Sequence, residues 1–122
     1  MDDRERHSAG MKVRREVLGA THVDKAETAK TSFTEPFQDL IARYAWGEIW
    51  SRPGLSRQTR SLITLSMMIA LNRNGELRMH LRAALNNKVS REEIQEVLLQ
   101  SAIYIRRVVD AEAKGWIRPP AP

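Results

Sequence analysis

The stretch that most constrains the fold is 62–71, LITLSMMIAL, ten residues of which only Thr64 and Ser66 are polar. Period-two alternation is absent and the run is too long for a buried strand, so it reads as helix. Ser56, ahead of Arg57-Gln58-Thr59, is placed to act as N-cap, its hydroxyl meeting one of the orphan amides of the first turn. A helix apolar nearly all round must be covered by others, so this one is predicted to form the core. It is too short to span a bilayer, which takes ~20 apolar residues. Asn72-Arg73-Asn74-Gly75 breaks it, and another helix is predicted over 76–87 with Leu77, Leu81, Ala84 and Leu85 on its apolar stripe. His80 lies beside that stripe. Glu76 precedes it by four residues, so carboxylate and imidazole can meet on one helix face. Spacing alone describes a partly buried histidine paired with a glutamate.

The 122 residues make one domain, too few to bury all their apolar surface, so some is expected to be covered by other subunits. The absence of cysteine excludes disulfides, thiolate metal sites and dithiol redox chemistry. The segment MDDRERHSAG is charged and has no apolar h-region, which points away from a secretory signal and towards a cytoplasmic protein. Net charge is +5, but basic residues alternate with acidic ones, as in Asp2-Asp3-Arg4-Glu5-Arg6 and Arg91-Glu92-Glu93. No basic run or basic–aromatic platform exists, so nucleic acid is not expected as a partner. A modest positive field suits small anionic substrates.

In chain order, a first helix is predicted over 3–18, with Gly19 just past its end. Thr21 and Asp24 resemble a variant capping box for a second helix through Lys30. Pro36 fits the first turn of a third helix carrying Phe37, Leu40, Ile41, Tyr44, Ala45, Trp46, Ile49 and Trp50. Ser51-Arg52-Pro53-Gly54 ends it. Glu48 lies between the two tryptophans: it either pairs with Arg52 at i,i+4, or is crowded by indoles into a proton donor of raised pKa. Ser90 and Glu93 make a full capping box, and Ile94, Val97, Leu98, Ala102 and Ile105 continue a helical stripe. Gly115 can cap an extension of that helix to Lys114, and the Pro-rich tail beyond cannot be helical. The chain reads as an all-α single-domain helical bundle, residues 1–115, followed by a tail at 116–122.

Several segments resemble the carboxymuconolactone decarboxylase family, which has the alkylhydroperoxidase D-like fold. They are GMKVRREVLG (10–19), THVDKAE (21–27), FQDLIARYAWGEIWSRPGLSRQTRSLITLSMMIALNR (37–73) and ELRMHLRAALNNKVSREEIQEVLLQSAIY (76–104). The peroxidase-type relatives carry a C-x-x-C pair ahead of the equivalent histidine. Arg73 and Glu76 stand there in this chain, so the resemblance does not extend to peroxidase chemistry. It implies a cytoplasmic carboxy-lyase, forming a trimer or hexamer and needing neither metal nor organic cofactor. The implied reaction converts 4-carboxymuconolactone to 3-oxoadipate enol-lactone in protocatechuate breakdown, part of aromatic catabolism by the β-ketoadipate route.

Loss of CO₂ there pushes electrons through a C=C bond into the lactone carbonyl, so the substrate is its own electron sink. The protein must hold two carboxylates, stabilise an oxyanion and deliver a proton. His80 is then the expected proton donor or oxyanion partner, since imidazole titrates near neutrality. Glu76 is its expected orienter and Glu48 the second acid–base candidate. Arg57 or Arg60 would clamp the carboxylates. His7 and His22 are read as solvated. Two departures from the family pattern stand out. Lys88 occupies a position usually held by glycine. After Tyr104, Arg106 and Arg107 fall where relatives turn into a further apolar helix, so the last helix is expected to be shortened, altered or missing. The alternative function is a non-catalytic helical oligomer or binding protein that keeps the fold.

Overall fold

The structure is a computed structural model that describes residues 1–113, with side chains described through Tyr104. Every regular element among the described residues is a helix, with no strand. They form α1 (Asp3–Leu18), α2 (Ala20–Ala29), α3 (Glu35–Leu40) running directly into a π-helix (Ile41–Ile49), α4 (Arg57–Ala70), α5 (Asn74–Asn86) and α6 (Arg91–Ala113).

Local chemistry accounts for most helix ends. Asp2 caps α1 in a full capping box with Glu5, and Gly19 closes it at φ 92°, a conformation open to glycine. Ser56 accepts from Thr59 N–H at 3.1 Å, as predicted for α4. Ser90 and Glu93 satisfy each other's amides at 3.0 and 2.9 Å ahead of α6. Two readings need correction. The predicted Thr21–Asp24 box does not form: α2 begins at Ala20 behind Gly19, with no side-chain cap. Helix α5 begins two residues earlier than predicted, at Asn74, with Asn72 taking the chain through φ 56° just before it. The extension of the last helix towards Lys114 does form among the described residues: α6 runs through Arg106 and Arg107 to Ala113. Gly115 and the tail lie outside the described residues.

The third predicted helix contains the main surprise. Beyond Leu40 it widens to i→i+5 bonding for nine residues, the last bond running from Trp50 N–H to Ala45 O at 2.9 Å. Isolated π turns are common at functional sites, and a run this long is rare. Helix α1 packs on it almost backbone to backbone. A Cβ on Gly10 would lie 1.8 Å from the Ala42 carbonyl oxygen, and one on Gly47 would lie 2.6 Å from Arg6 O. Only glycine permits that approach.

Two apolar clusters meet across α5. Val13, Val17 and Leu18 of α1 join Val23, Trp46 and Ala83 in one, with Met79 and Trp50 at its edge. Leu65 of α4 joins Ala84 and Val89 in the other, backed by Leu62, Leu77, Leu81, Ile94 and Val97. Adjacent alanines, Ala83 and Ala84, thus face opposite clusters, and α5 becomes the shared wall that carries His80. The apolar run of α4 is less enclosed than predicted. Ser61 and Leu65 are buried, whereas Ile63, Met67 and Leu71 are 40–64% exposed along one stripe. Its two polar residues need no partner elsewhere: Thr64 and Ser66 hydroxyls donate to Arg60 O and Leu62 O within the helix.

Candidate active site

His80 lies half-buried on α5 against the C-terminal end of the π-helix. Its ring is 6.4 Å from that of Trp50, centroid to centroid, with planes only 9° apart. Trp50 in turn stacks on Trp46 at 5.2 Å and 25°, so two indoles and an imidazole are linked by ring stacking. Burial pushes the imidazole below its usual range, Glu76 opposes that shift, and His22 of α2 adds to it. The imidazole is therefore neutral at pH 7. Nδ1 is buried with no hydrogen-bond partner.

Next to Trp50 is a pocket of about 170 Å³ lined by Ile49, Trp50, Leu55, Arg60, Ile63, Thr64 and Met67. It is apolar except for one guanidinium and one hydroxyl, the pattern of a site that orients a small anion. Arg60 is tethered by an Nη2 hydrogen bond to the Arg52 carbonyl at 3.2 Å, and its Nε is buried without a partner. Trp50 thus belongs both to the pocket and to the stack on His80.

The other expected residues are placed differently. Glu76 is exposed and faces Arg73 at 3.7 Å; it reaches His80 through its charge and not through a hydrogen bond. Glu48 is not enclosed by the indoles and does not pair with Arg52. Its carboxylate accepts from Arg6 Nε of α1, a bond that raises the arginine above its usual value. Arg6 also holds Asp3 at 2.8 Å and lies over the Tyr44 ring at 5.4 Å. Arg57 pairs with Glu16 at 2.7 Å and opens onto a different, polar cleft with Gln58, Asn86, Asn87 and Lys88. Of the two arginines, only Arg60 shares a pocket with the tryptophan beside His80. No group of three or more His, Cys, Asp or Glu residues suited to a metal occurs among the described residues.

Sequence reasoning missed Trp50 and His22. Trp50 falls among the apolar residues of the third predicted helix, and nothing local indicates an imidazole thirty positions away. His22 was read as solvated, yet it precedes fully buried Val23 and is half-buried itself, near enough for its charge to act on His80.

Comparison with known proteins places the whole chain. A 4-carboxymuconolactone decarboxylase of Acinetobacter baylyi is 49% identical over 104 residues, 85% of this chain and 78% of that protein. A nitrosuccinic acid decarboxylase of Metarhizium robertsii is 47% identical over 95 residues, 78% of this chain and 66% of that protein. A 4-carboxymuconolactone decarboxylase sequence of Pseudomonas putida is 46% identical over 48 residues, 39% of this chain and all of that sequence. The family profile described as the Carboxymuconolactone decarboxylase family matches residues 35–113, from the start of α3 to the end of α6. With a match over most of its length and a relative at 49% identity, the chain belongs to the carboxymuconolactone decarboxylase family.

Proposed function

We propose that the protein is a carboxy-lyase that converts 4-carboxymuconolactone to 3-oxoadipate enol-lactone, a step in protocatechuate catabolism. The observation that carries this reading is the Arg60 pocket joined through Trp50 to His80, in a chain 49% identical to a protein of that name. Arg60 binds a substrate carboxylate, its fork suited to a planar anion. The C–CO₂ bond breaks and its electron pair passes through the C=C bond to the lactone carbonyl, giving a dienolate. Neutral His80 donates Nε2–H to the growing oxyanion, in a half-buried setting where such a bond counts for more than in water. A proton from solvent, taken up on carbon, completes the reaction, one proton being consumed for each CO₂ released. Arg57 and Glu48, engaged with Glu16 and Arg6, support the frame around the pocket.

One observation favours a second reading. A relative at 47% identity is named for nitrosuccinic acid, also a dicarboxylic acid, whose decarboxylation leaves a delocalised nitronate. Both reactions ask the protein for the same work. The test is a spectrophotometric assay of freshly generated lactone, and in parallel of nitrosuccinate, with wild type and His80→Ala. The lactone should be turned over, and His80→Ala should lower kcat by roughly 10²–10⁴ with the melting temperature nearly kept. Near-wild-type turnover in the variant removes His80 from the chemistry. Turnover of nitrosuccinate alone replaces the first reading with the second.

The enzyme is proposed to act as a homo-oligomer, a trimer or hexamer. Support comes from the rim of the pocket itself, where Ile49, Leu55, Ile63 and Met67 are 40–54% exposed and continue into Leu71. Light scattering that gives a mass of 14.0 kDa would refute it.

A further inference from the structure

His80 lacks the partner that usually orients an imidazole. Commonly one ring nitrogen donates to a carboxylate or a backbone carbonyl, which fixes tautomer and plane. Here Nδ1 is buried and unpartnered, and Glu76 is turned to Arg73. What the ring does have is a near-parallel indole, Trp50, 6.4 Å away at 9°, within the range of offset ring stacks. That indole is itself held in place. It stacks on Trp46, which is only 5% exposed, and its backbone N–H closes the final π-helical turn on Ala45.

Resting on the decarboxylase reading, we propose that Trp50 is the positioning residue of the reaction: its indole, in place of a carboxylate, fixes the plane of the His80 ring and shields it from water, while also lining the pocket that holds the substrate. The choice of group matters chemically. A carboxylate hydrogen-bonded to Nδ1 would favour the imidazolium. An indole orients the ring without adding charge, so the imidazole stays neutral and Nε2 stays free for the substrate. The charged groups that act on His80 are Glu76 on its own helix and His22 on α2; from the end of the π-helix the uncharged Trp50 meets it. The wide π-helix also acquires a purpose, since its last turn delivers this ring to α5.

The test pairs Trp50→Phe, which keeps a flat ring, with Trp50→Ala, which removes it; Trp50→Leu replaces the alanine variant if that one does not fold. Two quantities are read: the NMR titration of His80, and kcat and KM on the lactone. Loss of the ring should lower kcat by about 10²-fold, the scale of a misplaced catalytic group, with a smaller change in KM. Phenylalanine should restore most of kcat. The His80 titration should move up towards the ordinary 6.5 in the alanine variant as water enters, and stay low in the phenylalanine variant. Equal losses in kcat for both variants, or a titration that does not move, would overturn the role of Trp50. The titration needs no substrate, so a wild-type protein inert towards the lactone overturns the decarboxylase reading separately.

Discussion

Gly10→Ala probes the packing on which the whole site rests. The new Cβ would lie 1.8 Å from Ala42 O, 2.8 Å from Ala42 C and 3.0 Å from Gly47 N, all backbone atoms that cannot rotate away. Reaching an ordinary contact of about 3.4 Å requires α1 and the π-helix to separate by about 1.6 Å along that line. Overpacking of this kind costs ~3 kcal/mol, the upper end of the usual range, because nothing flexible can yield. Alanine recovers about 1 kcal/mol through its better helix propensity, leaving a net loss of ~2 kcal/mol. For a domain of this size that lowers Tm by about 5–10 °C. Activity should fall as well, since Arg6, one turn before Gly10, holds Glu48 four residues after Tyr44 and two before Trp50. The assay is urea unfolding at matched protein concentration, because association with further copies would add to stability. Gly75→Ala is the control: it lies in α5 with nothing within 4 Å of the new Cβ, so it should be neutral or stabilising by up to ~1 kcal/mol. A Gly10→Ala protein as stable as wild type would refute the close approach of α1 to the π-helix.

Two further outcomes follow from the backbone and the imidazole. Lys88 sits at φ 66°, the left-handed region that disfavours side chains, so Lys88→Gly should stabilise by about 0.5–1 kcal/mol in the same unfolding assay, and a loss of stability would contradict the conformation. His80 has a folded pKa below its unfolded 6.5, so the unfolded chain binds the proton first on acidification. Its contribution to stability is therefore complete above about pH 6.5 and is lost as pH falls through the lowered folded value. Unfolding measured against pH should show this loss below pH 6.5, and a contribution that grows on acidification would contradict the lowered value.

Much of the helical framework was legible in local chemistry. The Ser90–Glu93 box, the Ser56 cap and Gly19 each act within about four residues, so their meaning is carried by neighbours in sequence. Asp2 and Glu5, three residues apart, act over the same short range. The same range explains the failures. Thr21 and Asp24 have the right residue types for a cap, yet Gly19 starts the helix earlier. The apolar run of α4 correctly announced a helix, but how much of it is covered depends on what packs there, and one stripe stays exposed.

The family resemblance singled out His80, and left Glu48, Glu76, Arg57 and Arg60 as candidates that composition and spacing could not rank. Tertiary structure alone separated them. It turned Glu48 to Arg6, Glu76 to Arg73 and Arg57 to Glu16, and left Arg60 in the pocket beside Trp50. The physical reason is that these choices depend on contacts made over distance. A guanidinium or carboxylate can pair with any opposite charge in reach, and which one is in reach depends on how the helices meet. That meeting is governed by two glycines thirty-seven positions apart in the chain and by a π-helix without a local signature, which together bring a tryptophan to the face of an imidazole.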